Sequence, residues 1–190
     1  MRILCVVLAL TMTAFFMPMP AMAMHSATDV RCASCHTPHR GQSSTVPLWN
    51  GRATVNTFTL YTSNTFDAKD TIGQPDGSAK LCLACHDGAV TPTGHGLGTN
   101  LTTTHPISFV YDSALATTDG HLKDPASATT VAGGTIAEDM LDINGKLQCF
   151  SCHEIHNTPL KMYPQYLRGV AYDTEAGGDN YSFCRQCHLK

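Results

Sequence analysis

The sequence has no basic stripe, no cysteine to spare and, past its first residues, no apolar run long enough to cross a membrane. Each absence excludes something. Lys and Arg number 12 against 15 Asp and Glu. A mildly acidic chain without a clustered basic face lacks the footprint by which proteins hold a phosphate backbone, so no nucleic-acid partner is expected. A membrane-spanning helix needs about 20 apolar residues in succession, and only the beginning of the chain approaches that. Arg2, the apolar residues from Ile3 to Met17 and the small-residue run Ala21-Met22-Ala23 stand in the order of an export signal, and Pro18 and Pro20 interrupt the segment. The expected organisation is a signal peptide over residues 1–23 and one domain over 24–190, exported, with no membrane span in the mature form. Without Arg2, eleven basic residues face fifteen acidic ones, a formal charge of −4. No second domain, low-complexity linker or solenoid repeat is visible.

What the chain does contain is one pentad written four times. Cys32-Ala33-Ser34-Cys35-His36, Cys82-Leu83-Ala84-Cys85-His86, Cys149-Phe150-Ser151-Cys152-His153 and Cys184-Arg185-Gln186-Cys187-His188 share the pattern C-x-x-C-H. Of nine cysteines, Cys5 lies in the expected signal and the other eight make up these pairs, so none remains for another disulfide or a free nucleophile. Eight cysteines in an exported chain would suit a disulfide scaffold, but a scaffold explains neither the constant spacing nor the histidine after every pair. A zinc site fails on the same histidine, because two C-x-x-C pairs close a tetrahedral site without it. C-x-x-C-H is the attachment signature of a c-type haem. Its two thiols can add to the two vinyl groups on one haem edge, and the next residue then falls under the iron as proximal ligand. The expectation is four haem c groups, held covalently by Cys32, Cys35, Cys82, Cys85, Cys149, Cys152, Cys184 and Cys187, with His36, His86, His153 and His188 as proximal ligands. Porphyrins would then supply much of the buried apolar surface. The expected fold is mostly irregular, with short helices at the haem sites: a multihaem cytochrome c built around a chain of four haems.

Six further histidines are available for the opposite faces of the irons: His25, His39, His95, His105, His121 and His156. Met24, Met140 and Met162 also remain, and a methionine ligand would raise the potential. Histidines outnumber the sites, so bis-histidine ligation is the economical reading. His39 follows His36 by three residues, and His156 follows His153 by three. Each is tethered too closely to pass round the porphyrin its neighbour holds, so either one that binds iron binds a different haem. His105 precedes Pro106, which stiffens the backbone beside it. His25 lies near the expected mature start and can reach a haem of its own chain or of a neighbour. His95 and His121 read as solvent-facing loop residues.

Between the pentads, Thr57-Phe58-Thr59-Leu60-Tyr61 alternates in the manner of a strand, or is a loop laying aromatics on haem. Pro75-Asp76-Gly77 marks a turn. Residues 106–115 read as a strand or buried segment and 116–134 as loop. Ile136 to Leu141 fits a helical turn, with Thr135 as its cap and Glu138 three residues on.

The linked motifs resemble those of a group of small multihaem c-type cytochromes. The first site reads C-x-x-C-H-T-P-H, Cys32 to His39; then come Pro47-Leu48-Trp49 and Tyr61-Thr62-Ser63. The second reads K-L-C-L-x-C-H-D-G, Lys80 to Gly88, followed by H-P-I-S-F-x-Y-D, His105 to Asp112. The likeness runs over residues 25–190. Tetrahaem members of that group include extracellular cytochromes that polymerise into conductive filaments, and a larger hexahaem nanowire cytochrome has a similar beginning. In such filaments all haems are bis-histidine and one distal histidine comes from the adjacent subunit. The resemblance implies distal roles for His25, His39, His105 and His156, and a head-to-tail homopolymer.

Three function classes are weighed against these residues. A multihaem reductase needs an iron with an open position, yet no site has lysine in place of its proximal histidine and distal histidines are in surplus. A haem sensor would carry one haem and a signalling domain. An electron carrier fits: a subunit of an extracellular conductive filament, alternatively a periplasmic shuttle, with redox proteins and extracellular acceptors as partners.

Overall fold

Each pentad folds as a helical turn. In the computed structural model, which describes residues 32–41, 48–89, 96–156, 167–168 and 183–189, the first and fourth pentads open with 3-10 turns, Cys32–Ser34 and Cys184–Gln186. The second forms the end of helix α1, Gly77–His86. The other regular elements are strand β1 (Phe109–Val110), helix α2 (Ser113–Asp119), helix α3 (Ile136–Asp139), strand β2 (Lys146–Leu147) and helix α4 (Cys149–Cys152), which carries the third pentad. The described residues are otherwise loop, and none of their helices is long and apolar enough to cross a membrane.

α1 buries Ala79 and Leu83, and Leu83 packs with Phe58 and Leu101. The larger core gathers Phe109, Tyr111, Ala116, Ile136, Met140, Leu141 and Leu147, and Ile107 touches both clusters. β1 and β2 pair antiparallel, with Phe109 opposite Leu147 and Val110 opposite Lys146. Phe109 and Leu147 thus face the core while Val110 lies outside, the alternation expected of a half-buried strand pair. The pair delivers the chain directly into the third pentad. Residues 57–61 form no strand; Thr59 makes one isolated bridge, to Asn100.

α3 starts as its sequence indicates. Thr135 accepts from the Glu138 N–H at 3.2 Å, and Glu138 accepts in return from the Thr135 N–H at 2.9 Å. α2 departs from the loop expected over 116–134, since it runs on to Asp119. Two local devices close it. Asp112 caps the start by accepting from the Leu115 N–H at 2.8 Å, and Gly120, left-handed at φ 69°, ends it by bonding back to Ala116.

One buried side chain ties α1, β1 and α4 together. Gln148 is fully buried. Its amide nitrogen donates to Asp76 and Asp142, each at 3.0 Å, and its oxygen accepts from the Ser108 hydroxyl at 3.1 Å and the Ala79 N–H at 3.4 Å. Asp76 also pairs with Lys146 of β2. The second and third pentads are thereby fixed against each other, and α1 and α4 are in contact.

Candidate haem centre

In three pentads the histidine N–H bonds back to the carbonyl of the first cysteine: His36 to Cys32 at 2.8 Å, His153 to Cys149 at 3.0 Å and His188 to Cys184 at 2.9 Å. The cysteines, three residues apart, are neighbours on one side of such a turn. All eight of these thiols are free.

The turns are held by different neighbours. At the first, the Thr37 N–H reaches Leu48 at 2.7 Å and the Asn50 N–H reaches Cys35 at 2.8 Å, while the Trp49 ring meets His36 edge-on with centroids 5.9 Å apart. At the second, His86 ends α1 and its carbonyl accepts from Leu97 at 2.7 Å. The next residue, Asp87, is buried and accepts from Thr54 and Asn56, each at 2.8 Å. At the third, Arg168 donates its N–H to Cys152 at 2.8 Å and His153 bridges to Leu167. At the fourth, Lys123 and Leu189 exchange backbone bonds with Cys187 and His121, both at 2.8 Å.

The thiols record which sites adjoin. Burial raises the Cys35 thiol, and the nearby Cys85 and Cys82 push it further. Cys82 and Cys149 share a hydrogen bond, which lowers Cys82 and raises Cys149. Burial, then the proximity of Cys184, pushes Cys152 up to about 11; burial, then Cys152, pushes Cys187 up to about 12. The thiols of the first and second, the second and third, and the third and fourth sites are thus near one another, and His156, three residues past His153, sets the third site beside the first as well.

Two histidine pairs span these sites. The rings of His36 and His156 have centroids 6.1 Å apart, and those of His105 and His188 are 6.3 Å apart. Burial, then the neighbouring His105, holds His188 below the usual imidazole value. Among the described residues no group of three or more His, Cys, Asp or Glu side chains is arranged to hold a bare metal ion. At the first and fourth pentads two imidazoles come near each other next to a C-x-x-C pair in sequence, residue types of the kind that would hold a c-type haem.

No protein-family model matches this chain, and no curated protein matches it.

His39 is exposed, its carbonyl accepting from the Thr37 hydroxyl at 2.8 Å. His121 is exposed in the loop after α2. His25 and His95 lie outside the described residues, as do Met24 and Met162; Met140 is a core residue. Sequence reasoning did not single out Glu154, which is buried between Arg168 at 2.9 Å and His156 at 3.2 Å. Its position directly after a pentad was the available sign.

Proposed function

We propose that the chain is a tetrahaem c-type cytochrome, an electron carrier rather than an enzyme, and the subunit of an extracellular head-to-tail filament. The observation that carries the electron-carrier reading is that His36 with His156 and His105 with His188 bring their rings within 6.1 and 6.3 Å of each other, so that each pair could hold one iron. Bound haem supplies a one-electron iron couple. The residues of the chain do the rest. Cys32 with Cys35, Cys82 with Cys85, Cys149 with Cys152 and Cys184 with Cys187 anchor the four groups, and His36, His86, His153 and His188 are their proximal ligands. His156 closes the far side of the first site and His105 that of the fourth. His25 and His39 complete the distal set. An iron held by both rings of such a pair would have no position left for a substrate, which at the first and fourth sites favours a carrier over a reductase.

The filament reading draws on the resemblance over residues 25–190 and on His39. His39, tethered beside His36 and so kept from the first site of its own chain, lies exposed. A contact that joins unlike surfaces and does not close into a ring makes an open fibre. Redox proteins and extracellular acceptors are the proposed partners. Electron microscopy of the secreted protein tests this reading: filaments are expected from the wild type and none from His39→Ala, with four haems retained on the separated subunits. Monomers from the wild type, with every iron low-spin, would favour a soluble shuttle instead.

A further inference from the structure

The two ring pairs differ in what stands behind one ring of each. His156 Nδ1 lies 3.2 Å from Glu154 Oε1, whereas His105 Nδ1 lies 2.9 Å from the carbonyl oxygen of Pro106. A carboxylate and a carbonyl both accept, so Nδ1 carries the hydrogen in each ring and Nε2 is the nitrogen left for a metal. The acceptors are not equivalent. Pro106 offers a neutral dipole and Glu154 a carboxylate. A carboxylate hydrogen-bonded behind a metal-bound imidazole raises the basicity of the ligand, and second-shell hydrogen bonding is one of the protein's levers on haem potential.

Glu154 is held for such a task. It is only 5% exposed. Its Oε2 pairs with Arg168 Nη2 at 2.9 Å, and its Oε1 also accepts from the His156 backbone N–H at 2.8 Å. Arg168 is fixed in turn, over the Phe150 ring at 5.6 Å and against the Asp139 carbonyl at 3.3 Å. His156 itself has a side chain 63% exposed. A ring with so little packing around it needs a hydrogen bond to hold its orientation.

We propose that Glu154 is the positioning residue behind His156, and that its carboxylate would lower the potential of a haem iron held by His36 and His156. The proposal rests on the haem reading above. Second-shell partners of metal-bound histidine are worth ~10–100-fold. At the lower end, a tenfold change in the ferric-to-ferrous ratio is about 59 mV for one electron.

The test is potentiometric titration of the haem-loaded protein, followed optically and by EPR, on the wild type, Glu154→Gln and His156→Ala. Glutamine keeps the shape and accepts a hydrogen bond but removes the charge. Glu154→Gln should retain four covalent low-spin haems and move one component to a more positive potential by about a tenfold change in its ferric-to-ferrous ratio, with a changed EPR signal for one iron. Should the carboxamide beside Arg168 destabilise the fold, the charge-balanced double variant Glu154→Gln, Arg168→Gln carries the same expectation. Unmoved components and an unchanged EPR spectrum overturn the proposal. His156→Ala separates this from failure of the haem reading. One iron turning high-spin in His156→Ala, with nothing moved by Glu154→Gln, removes the role of Glu154 alone. Every iron remaining low-spin in His156→Ala removes the pairing itself and the proposal with it.

Discussion

Gln148 is the side chain on which the second and third sites depend together. It has no solvent exposure, and its amide spends both ends on Asp76, Asp142, Ser108 and Ala79. An apolar replacement strands several of these partners, and each buried unmade bond costs about 1–3 kcal/mol. Gln148→Leu should therefore destabilise the protein by about 3 kcal/mol in a denaturant titration; a change within 0.5 kcal/mol would show that water replaces the amide. Asp76 links this network to pH. Burial alone would raise its carboxyl, but hydrogen bonds from Lys146 and Gln148 and the attraction of Lys146 outweigh that and hold it below the ordinary value. The folded-state value is depressed, so its contribution is present above about pH 4, where the unfolded carboxyl is ionised. It is lost as pH falls through the folded value. Asp76→Asn should flatten the loss of stability below about pH 4; an unchanged acid limb would assign that loss to other carboxylates. None of this was legible in the sequence. A glutamine ahead of a cysteine reads as surface, and its burial depends on segments 40 and 69 residues away. The tether to His153 means that His156, if it binds iron, binds at another site, and its ring lies next to His36.

The turns and caps show where local pattern is enough. Thr135 and Glu138 form the reciprocal cap their spacing suggests, because both bonds close within one turn. α2 was harder to read. Ala116-Thr117-Thr118 has weak intrinsic preference for helix, and the helix stands on Asp112, Gly120 and the burial of Ala116. The first pentad depends on a close approach that no spacing reveals. A Cβ at Gly41 would lie 2.4 Å from the Leu48 Cα, and the backbone next to it supplies both Leu48 to Thr37 and Trp49 to His36. Gly41→Ala should cost about 2 kcal/mol by forcing these backbones apart. Haem on the peptide carrying Cys32 and Cys35 should fall while the other three sites keep theirs, as read by peptide mass mapping. Full occupancy at all four sites would show that the turn at Cys32–Ser34 forms without the Leu48 strand-like contact.

At the scale of the molecule, pentads separated by up to 67 residues in sequence become neighbours, with Cys82 against Cys149. The four repeats were plain in the sequence, because each pentad is complete in five residues. Their order in space was not readable, since it is set by the Gln148 network, the β1–β2 pair and the bridge of Leu122 to His188. The proposed role as an electron carrier stands on those four sites being filled. The mass of the purified protein, taken after acid extraction of any haem that is not covalently held, tests this most directly. The account predicts the polypeptide from Met24 plus four haems. The mass of the bare polypeptide would contradict it.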